Sequence, residues 1–151
     1  MMGKTIEAKV THRFKASAER VFDAWLKPEM VRAWMQLPSP VMGPMDVRRV
    51  EVDPQVGGKF TFSDMRPEGE AVHWGYYIEI DRPRKLVFSW FTSMEEEREN
   101  SSLVTLTIEP LNEGCEATIV HRMDAKWADY VQRTEKGWGM MLGKTDGYLS
   151  A

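Results

Sequence analysis

The last quarter of the chain, KWADYVQRTEKGWGMMLGKTDGYL from Lys126 to Leu149, limits the possible folds more than any other stretch. On a helical wheel of about 100° per residue, Trp127, Tyr130, Val131, Thr134, Trp138, Met141, Leu142, Thr145, Tyr148 and Leu149 share one side. That is a long helix with a wide apolar face. The stretch also holds Gly137, Gly139, Gly143 and Gly147, each costing about 1 kcal/mol relative to alanine inside a helix. Burying one tryptophan removes roughly 200 Å² from water, worth about 5 kcal/mol, so two tryptophans outweigh four glycines. Such a helix forms only when the rest of the chain holds it. Gly139, Gly143 and Gly147 recur every fourth residue on the side away from the tryptophans, which leaves two readings: tolerance on a solvent face, or close approach of another backbone.

The upstream residues supply a sheet. From Thr5 to Phe14, Ile6, Ala8, Val10, His12 and Phe14 alternate with polar neighbours, predicting a half-buried strand. Ser17 is placed to cap a helix whose Val21, Phe22, Trp25 and Leu26 share a face, and Pro28 ends it. Proline is favoured at the first helical position, so PEMVRAWM is a second short helix with Met30, Val31 and Trp34 turned inward. Three prolines and a glycine from Leu37 to Met45 predict a loop, long enough to be mobile. Six strand-like runs follow: VRRVEVD, KFTFSDM, AVHWGYYIEI, LVFSWFTSM, SLVTLTIEP and CEATIVHRM. The intervals carry turn chemistry and are too short for helical crossovers, so the runs pair antiparallel as a meander. EEEREN, between the fourth and fifth of them, reads as a solvated hairpin turn. Gly58 and Gly75 are candidates for bending the sheet. Seven strands and one long helix fold most simply as an α+β arrangement over residues 1–151, one domain in which a curved antiparallel sheet grips the C-terminal helix and two short helices close one end.

Several blocks carry a family likeness. RVFDAWLKPEMVRAWM, GGKFTF at Gly57 to Phe62, GYYIEIDRPRKLVFSW at Gly75 to Trp90, VTLTIEP at Val104 to Pro110 and GWGMML at Gly137 to Leu142 appear in the order seen in the activator of heat-shock chaperone ATPase homologue family, which the chain resembles over nearly its whole length. The resemblance implies the START-like, birch-pollen-allergen-like helix-grip fold (the SRPBCC superfamily). That superfamily includes carriers of hydrophobic ligands, cyclases, stress-response proteins and a co-chaperone, so the fold alone implies no single function.

The net charge of −3 gives no basic footprint for nucleic acid or an anionic membrane. One cysteine, Cys115, excludes an internal disulfide framework, and MMGKTIEAKV lacks the apolar centre of a signal peptide, so the expected location is cytoplasmic. Gly143-Lys144-Thr145 looks like the tail of a phosphate-binding loop, but the glycine needed five positions earlier is Trp138. His12, His73 and His121 lack metal-ligand spacing, no G-x-S-x-G elbow occurs, and neither metal nor cofactor is expected. The stronger signal is aromatic. Alternate residues along the strands put Phe60 and Phe62, then Val72, Trp74, Tyr76, Ile78 and Ile80, then Leu86, Phe88 and Trp90, on one sheet face. Near the open end, Trp34, Phe60, Phe62, Trp74, Tyr76, Trp90, Trp138 and Met141 are expected to line a pocket for a small hydrophobic or aromatic molecule, with Tyr76 or His121 as its polar contact. Two other classes stay open. One is a cyclase- or hydrolase-like enzyme using His73, His121 or Asp64 as general base. The other is an interaction module that contacts a chaperone or forms a weak homodimer rather than remaining a monomer.

Overall fold

The computed structural model describes residues 4–39 and 43–151. The order is β1 (Thr5–Phe14), α1 (Ala18–Leu26), α2 (Pro28–Met35), β2 (Asp46–Val52), β3 (Lys59–Arg66), β4 (Gly69–Asp81), β5 (Lys85–Ser89), α3 (Met94–Glu99), β6 (Leu103–Pro110), β7 (Cys115–Asp124), a 3-10 turn (Ala125–Tyr130) and α4 (Val131–Ser150). The seven strands form one antiparallel sheet in the order β1-β7-β6-β5-β4-β3-β2, a meander whose last strand returns to pair with the first. This is the expected helix-grip arrangement. Of the expected loop from Leu37 to Met45, residues 40–42 lie outside the described residues, and the remainder carries neither helix nor strand.

Local chemistry explains the elements. The Ser17 side chain accepts from the backbone N–H of Arg20 at 3.3 Å and starts α1; Pro28 opens α2 at its first turn. Val21, Phe22 and Trp25 of α1 and Val31, Trp34 and Met35 of α2 pack into a core shared with Phe60, Phe88, Leu106, Ile119, Trp138 and Leu142. The EEEREN stretch departs from expectation. It lies mostly in α3, where the Ser93 side chain accepts from the N–H of Glu96 at 3.2 Å and Asn100 stops the helix in the left-handed region at φ 51°. Ser93-Met94-Glu95-Glu96 has the spacing of a capping box, a signal that the charge run masked.

The C-terminal segment is not one helix. Asp124 caps the 3-10 turn by accepting from the N–H of Lys126 at 2.9 Å, and Trp127 leaves helical geometry at φ −94°, ψ 18°. The true α-helix therefore begins at Val131. This phase break turns Trp127 and Tyr130 away from the core, contrary to the wheel, and they pack on each other 5.4 Å apart. One flank of α4 runs along β1: the N–H of Lys9 donates to Glu135 at 3.0 Å, and His12 Nε2 lies 2.8 Å from Asp146. The glycines divide accordingly. A Cβ on Gly139 would meet Val10 at 3.6 Å, and one on Gly147 would meet Leu37 at 4.0 Å, whereas Gly143 faces open space. Gly143→Ala is therefore expected to stabilise the fold by about 1 kcal/mol, read as a higher urea midpoint, with no change in molecular mass by light scattering. A change in association would instead favour a contact at that face.

The curvature is not built by the two glycines singled out for it. Register shifts occur between Val47 and Arg49 in β2 and between Tyr77 and Glu79 in β4, which are bulges that bend the sheet. Gly58 and Gly75 instead permit close approach. A Cβ on Gly58 would collide with the carbonyl of Asp53, and one on Gly75 with the carbonyl of Ser89.

Candidate functional site

Between α4 and the concave sheet face lies a cavity of about 550 Å³. Thr134, Gly137, Trp138, Met141 and Lys144 form its helical wall, a run of about 15 Å at 1.5 Å per residue. Phe62 of β3 and Trp90, just beyond β5, face them across the space, and Trp34 of α2 closes one end. At the other end stand Trp127 and Tyr130. Trp90 meets Trp138 edge to face at 4.9 Å, so the aromatic walls are in contact with each other.

Of the residues expected at a pocket, Trp34, Phe62, Trp90, His121, Trp138 and Met141 line this one cavity. Phe60, Trp74 and Tyr76 do not line it. Phe60 is a layer deeper, against Phe62, Tyr77 and Phe88. Trp74 and Tyr76 are on the opposite, convex face because the β4 bulge shifts the alternation. His73, Gly75 and Tyr77 face inward before it and Ile80 after it, while Ile78 is left 51% exposed. One unbroken period of two along the run places the first half of β4 on the wrong face, because the register shifts between Tyr77 and Glu79. Trp74 Nε1 and the Tyr76 hydroxyl both donate to Glu97 Oε1, at 2.7 and 3.1 Å, and dock α3 on the outside of the sheet. Those two bonds hold the Glu97 carboxyl below its ordinary range.

Polar groups enter the cavity at defined points. Trp138 Nε1 donates to His121 Nδ1 at 3.1 Å, and His121 Nε2 lies 2.7 Å from the Ser102 hydroxyl oxygen. An indole nitrogen only donates, so Nδ1 must be the acceptor; the neutral ring carries its proton on Nε2 and donates it to Ser102. The Ser102 O–H is left to donate to something else, and Ser102 lines the cavity. His121 is therefore arranged to orient Ser102 as a donor, and its Nδ1 lone pair is not free to take a proton. Asp64, a second candidate base, has both oxygens engaged by Arg66, at 2.8 and 3.3 Å. His73 stacks on Trp90 at 5.0 Å and makes no hydrogen bond among the described residues, which leaves it as the one candidate base with an unengaged ring nitrogen. Among the described residues no three His, Cys, Asp or Glu side chains gather as a metal site.

Burial pushes the His121 pKa from 6.5 down to about 4. On acidification the unfolded chain takes up this proton near pH 6.5, and the folded chain only near pH 4. The stabilisation is complete above 6.5, and roughly 3 kcal/mol of it is lost as pH falls to 4. His73, lowered by burial and then by Arg66, acts in the same direction. Urea midpoints at pH 7 and pH 4 are expected to differ less in His121→Gln than in the wild type.

Ser102, Met123, Gly137 and Lys144 also lie on the cavity wall and are not among the residues expected there. In the sequence Lys144 reads as part of an incomplete phosphate-binding motif. Its signal was a lysine three residues after Met141, beside an apolar stripe.

A curved seven-stranded sheet closed over a C-terminal helix, with an aromatic cavity between them, defines a START-like helix-grip protein. The chain belongs to the family described as Activator of Hsp90 ATPase homolog 1-like protein, whose sequence model matches residues 15–150. Solved structures share the fold. A protein of Rhodobacter sphaeroides is 20% identical with a TM-score of 0.78, covering 95% of this chain and 91% of its own. A protein of Chromobacterium violaceum is 22% identical, TM-score 0.72, with 95% and 96% covered. The AHSA1-like protein of Aeromonas hydrophila is 18% identical, TM-score 0.74, with 96% and 92% covered. Comparison with curated proteins finds no match. Among the described residues no helix is long and apolar enough to cross a membrane.

Proposed function

We propose that this protein binds a small hydrophobic or aromatic molecule in the cavity between the sheet and α4. The observation that carries this reading is the cavity's size together with its lining. About 550 Å³ lies within the range of small-molecule sites, and Trp34, Phe62, Trp90, Trp138 and Met141 leave most of the wall apolar, with the Ser102 hydroxyl as a fixed donor. An apolar ligand there would bury this wall from water and gain close-packed contacts with it.

Gly137 provides the test. It lines the cavity, and a Cβ built there meets nothing within 4 Å, so Gly137→Leu fills the space without a clash at that atom. Native mass spectrometry against fatty acids, sterols and flavonoid-like aromatics is expected to find a compound retained one to one by the wild type and lost by Gly137→Leu, while the variant stays folded. If the wild type retains no compound, the reading is wrong. The family description supports a second reading, contact with a chaperone ATPase. It predicts faster ATP turnover by the chaperone on adding this protein, measured in the same assay with Gly137→Leu to separate surface from cavity.

A further inference from the structure

Lys144 is a lysine in the wrong place for a solvated charge. It is 6% exposed, on the cavity wall, between Met141 and Thr145 of the buried face of α4. Its Nζ donates to the carbonyl of Met35 at 2.9 Å and approaches the Met45 sulfur at 3.0 Å. An ammonium has three donors. One meets a good acceptor at the end of α2, one a thioether, which accepts weakly, and the third has no partner among the described residues. No carboxylate there lies within ion-pair distance of it. Asp64 is the acidic group whose charge Lys144 feels, but that carboxylate is already paired with Arg66 at 2.8 Å. Lys144 itself is left without a direct counter-ion on the cavity wall. Buried charges are ordinarily paired, because desolvating an ion without a counter-charge costs several kcal/mol.

Resting on the binding function proposed above, we infer that Lys144 is an anion-recognising group and that the ligand is an elongated apolar monoanion, an apolar carboxylate. Its carboxylate meets Lys144, and its body lies along Phe62, Trp90, Trp138 and Met141. Burial supports the assignment by lowering the lysine pKa, since a charge that is disfavoured alone gains most from a counter-ion. Helix position fits as well. Lys144 lies ten residues, about 15 Å, beyond Thr134, so a head group there leaves the length of the cavity for the apolar part.

The test compares acids with their methyl esters, which keep the body and remove the charge. Lauric acid with methyl laurate, and naphthoic acid with methyl naphthoate, are titrated into the full chain at neutral pH by calorimetry. In at least one pair the acid is expected to bind about ten-fold or more tightly than its ester. Lys144→Met is expected to weaken the acid to the level of the ester while leaving ester affinity within about two-fold, so the ester reports that the cavity is intact. Should Lys144→Met not fold, the wild-type comparison still decides, together with the Lys144 ε-methylene resonance, which should move with the acid and not with the ester. Esters that bind as tightly as their acids, or an acid preference that survives in Lys144→Met, overturn the inference while leaving the binding function standing. Failure of all four compounds to bind overturns the inference and counts against the binding function with it.

Discussion

Gly75→Ala is expected to destabilise the protein by about 3 kcal/mol or more, an unusual cost for a single methyl group. The added carbon would collide with the backbone carbonyl of Ser89 and lie 2.9 Å from Phe60 Cζ. Neither neighbour yields easily. Ser89 ends β5, and its hydroxyl accepts from the N–H of Tyr76 at 2.9 Å, while Trp74 and Phe91 exchange backbone hydrogen bonds at 3.1 and 2.8 Å on one side of the contact. Phe60 is packed among Phe62, Tyr77, Phe88 and Trp90. Relief requires β5 to move away from β4, which carries Trp90 with it and opens the cavity wall. Urea unfolding followed by near-ultraviolet circular dichroism reads both effects. A loss below about 0.5 kcal/mol would mean that β4 and β5 are not in this close approach.

Trp138→Ala carries the second large effect, a loss of about 3 to 5 kcal/mol. The indole lies against Trp25, Phe88, Trp90 and His121, with ring centroids 6.2, 6.3, 4.9 and 5.8 Å away, and anchors the middle of α4 in the aromatic core. Its removal also deprives His121 Nδ1 of its donor and opens the ring to water. The acid sensitivity between pH 6.5 and pH 4 should therefore shrink together with the stability. Trp138→Phe separates the two roles. It keeps much of the apolar bulk but strands a buried acceptor, and is expected to cost about 1 to 3 kcal/mol. Equal midpoints for Trp138→Phe and the wild type would contradict the Trp138–His121–Ser102 relay.

Much of the fold was legible in the sequence because its signals are local. Ser17, Pro28 and the turn residues act over three or four positions, and the strict alternation of β1 from Ile6 to Phe14 survives unchanged in the structure. What failed depended on phase carried over a longer distance. A bulge at Ile78 leaves no mark in the sequence, yet it reverses every residue before it, so Trp74 and Tyr76 exchanged faces with His73 and Tyr77. The kink at Trp127 did the same to the start of the last helix. Residues near the point of reference, such as Trp138, Met141 and Leu142, kept their places. Lys144 illustrates a different limit. Charge argues for solvent, the place beside Met141 on the apolar stripe is the one contrary sign, and it is Met35 and Met45, brought in from the end of α2 and the approach to β2, that enclose this lysine.

A small apolar molecule between sheet and helix would sit against aromatic and methionine side chains whose resonances report it directly. Methyl and indole resonances can be followed while lauric and naphthoic acids and a flavonoid-like aromatic are added to the labelled protein. The Met123 and Met141 methyl signals and the Trp90 and Trp138 indole signals are expected to move together and saturate. Met94 and Trp74, on the convex face with Glu97, should stay in place. Saturating shifts confined to Met94 and Trp74, or no shift at Met123, Met141, Trp90 and Trp138 with any of the compounds, would contradict binding in this cavity.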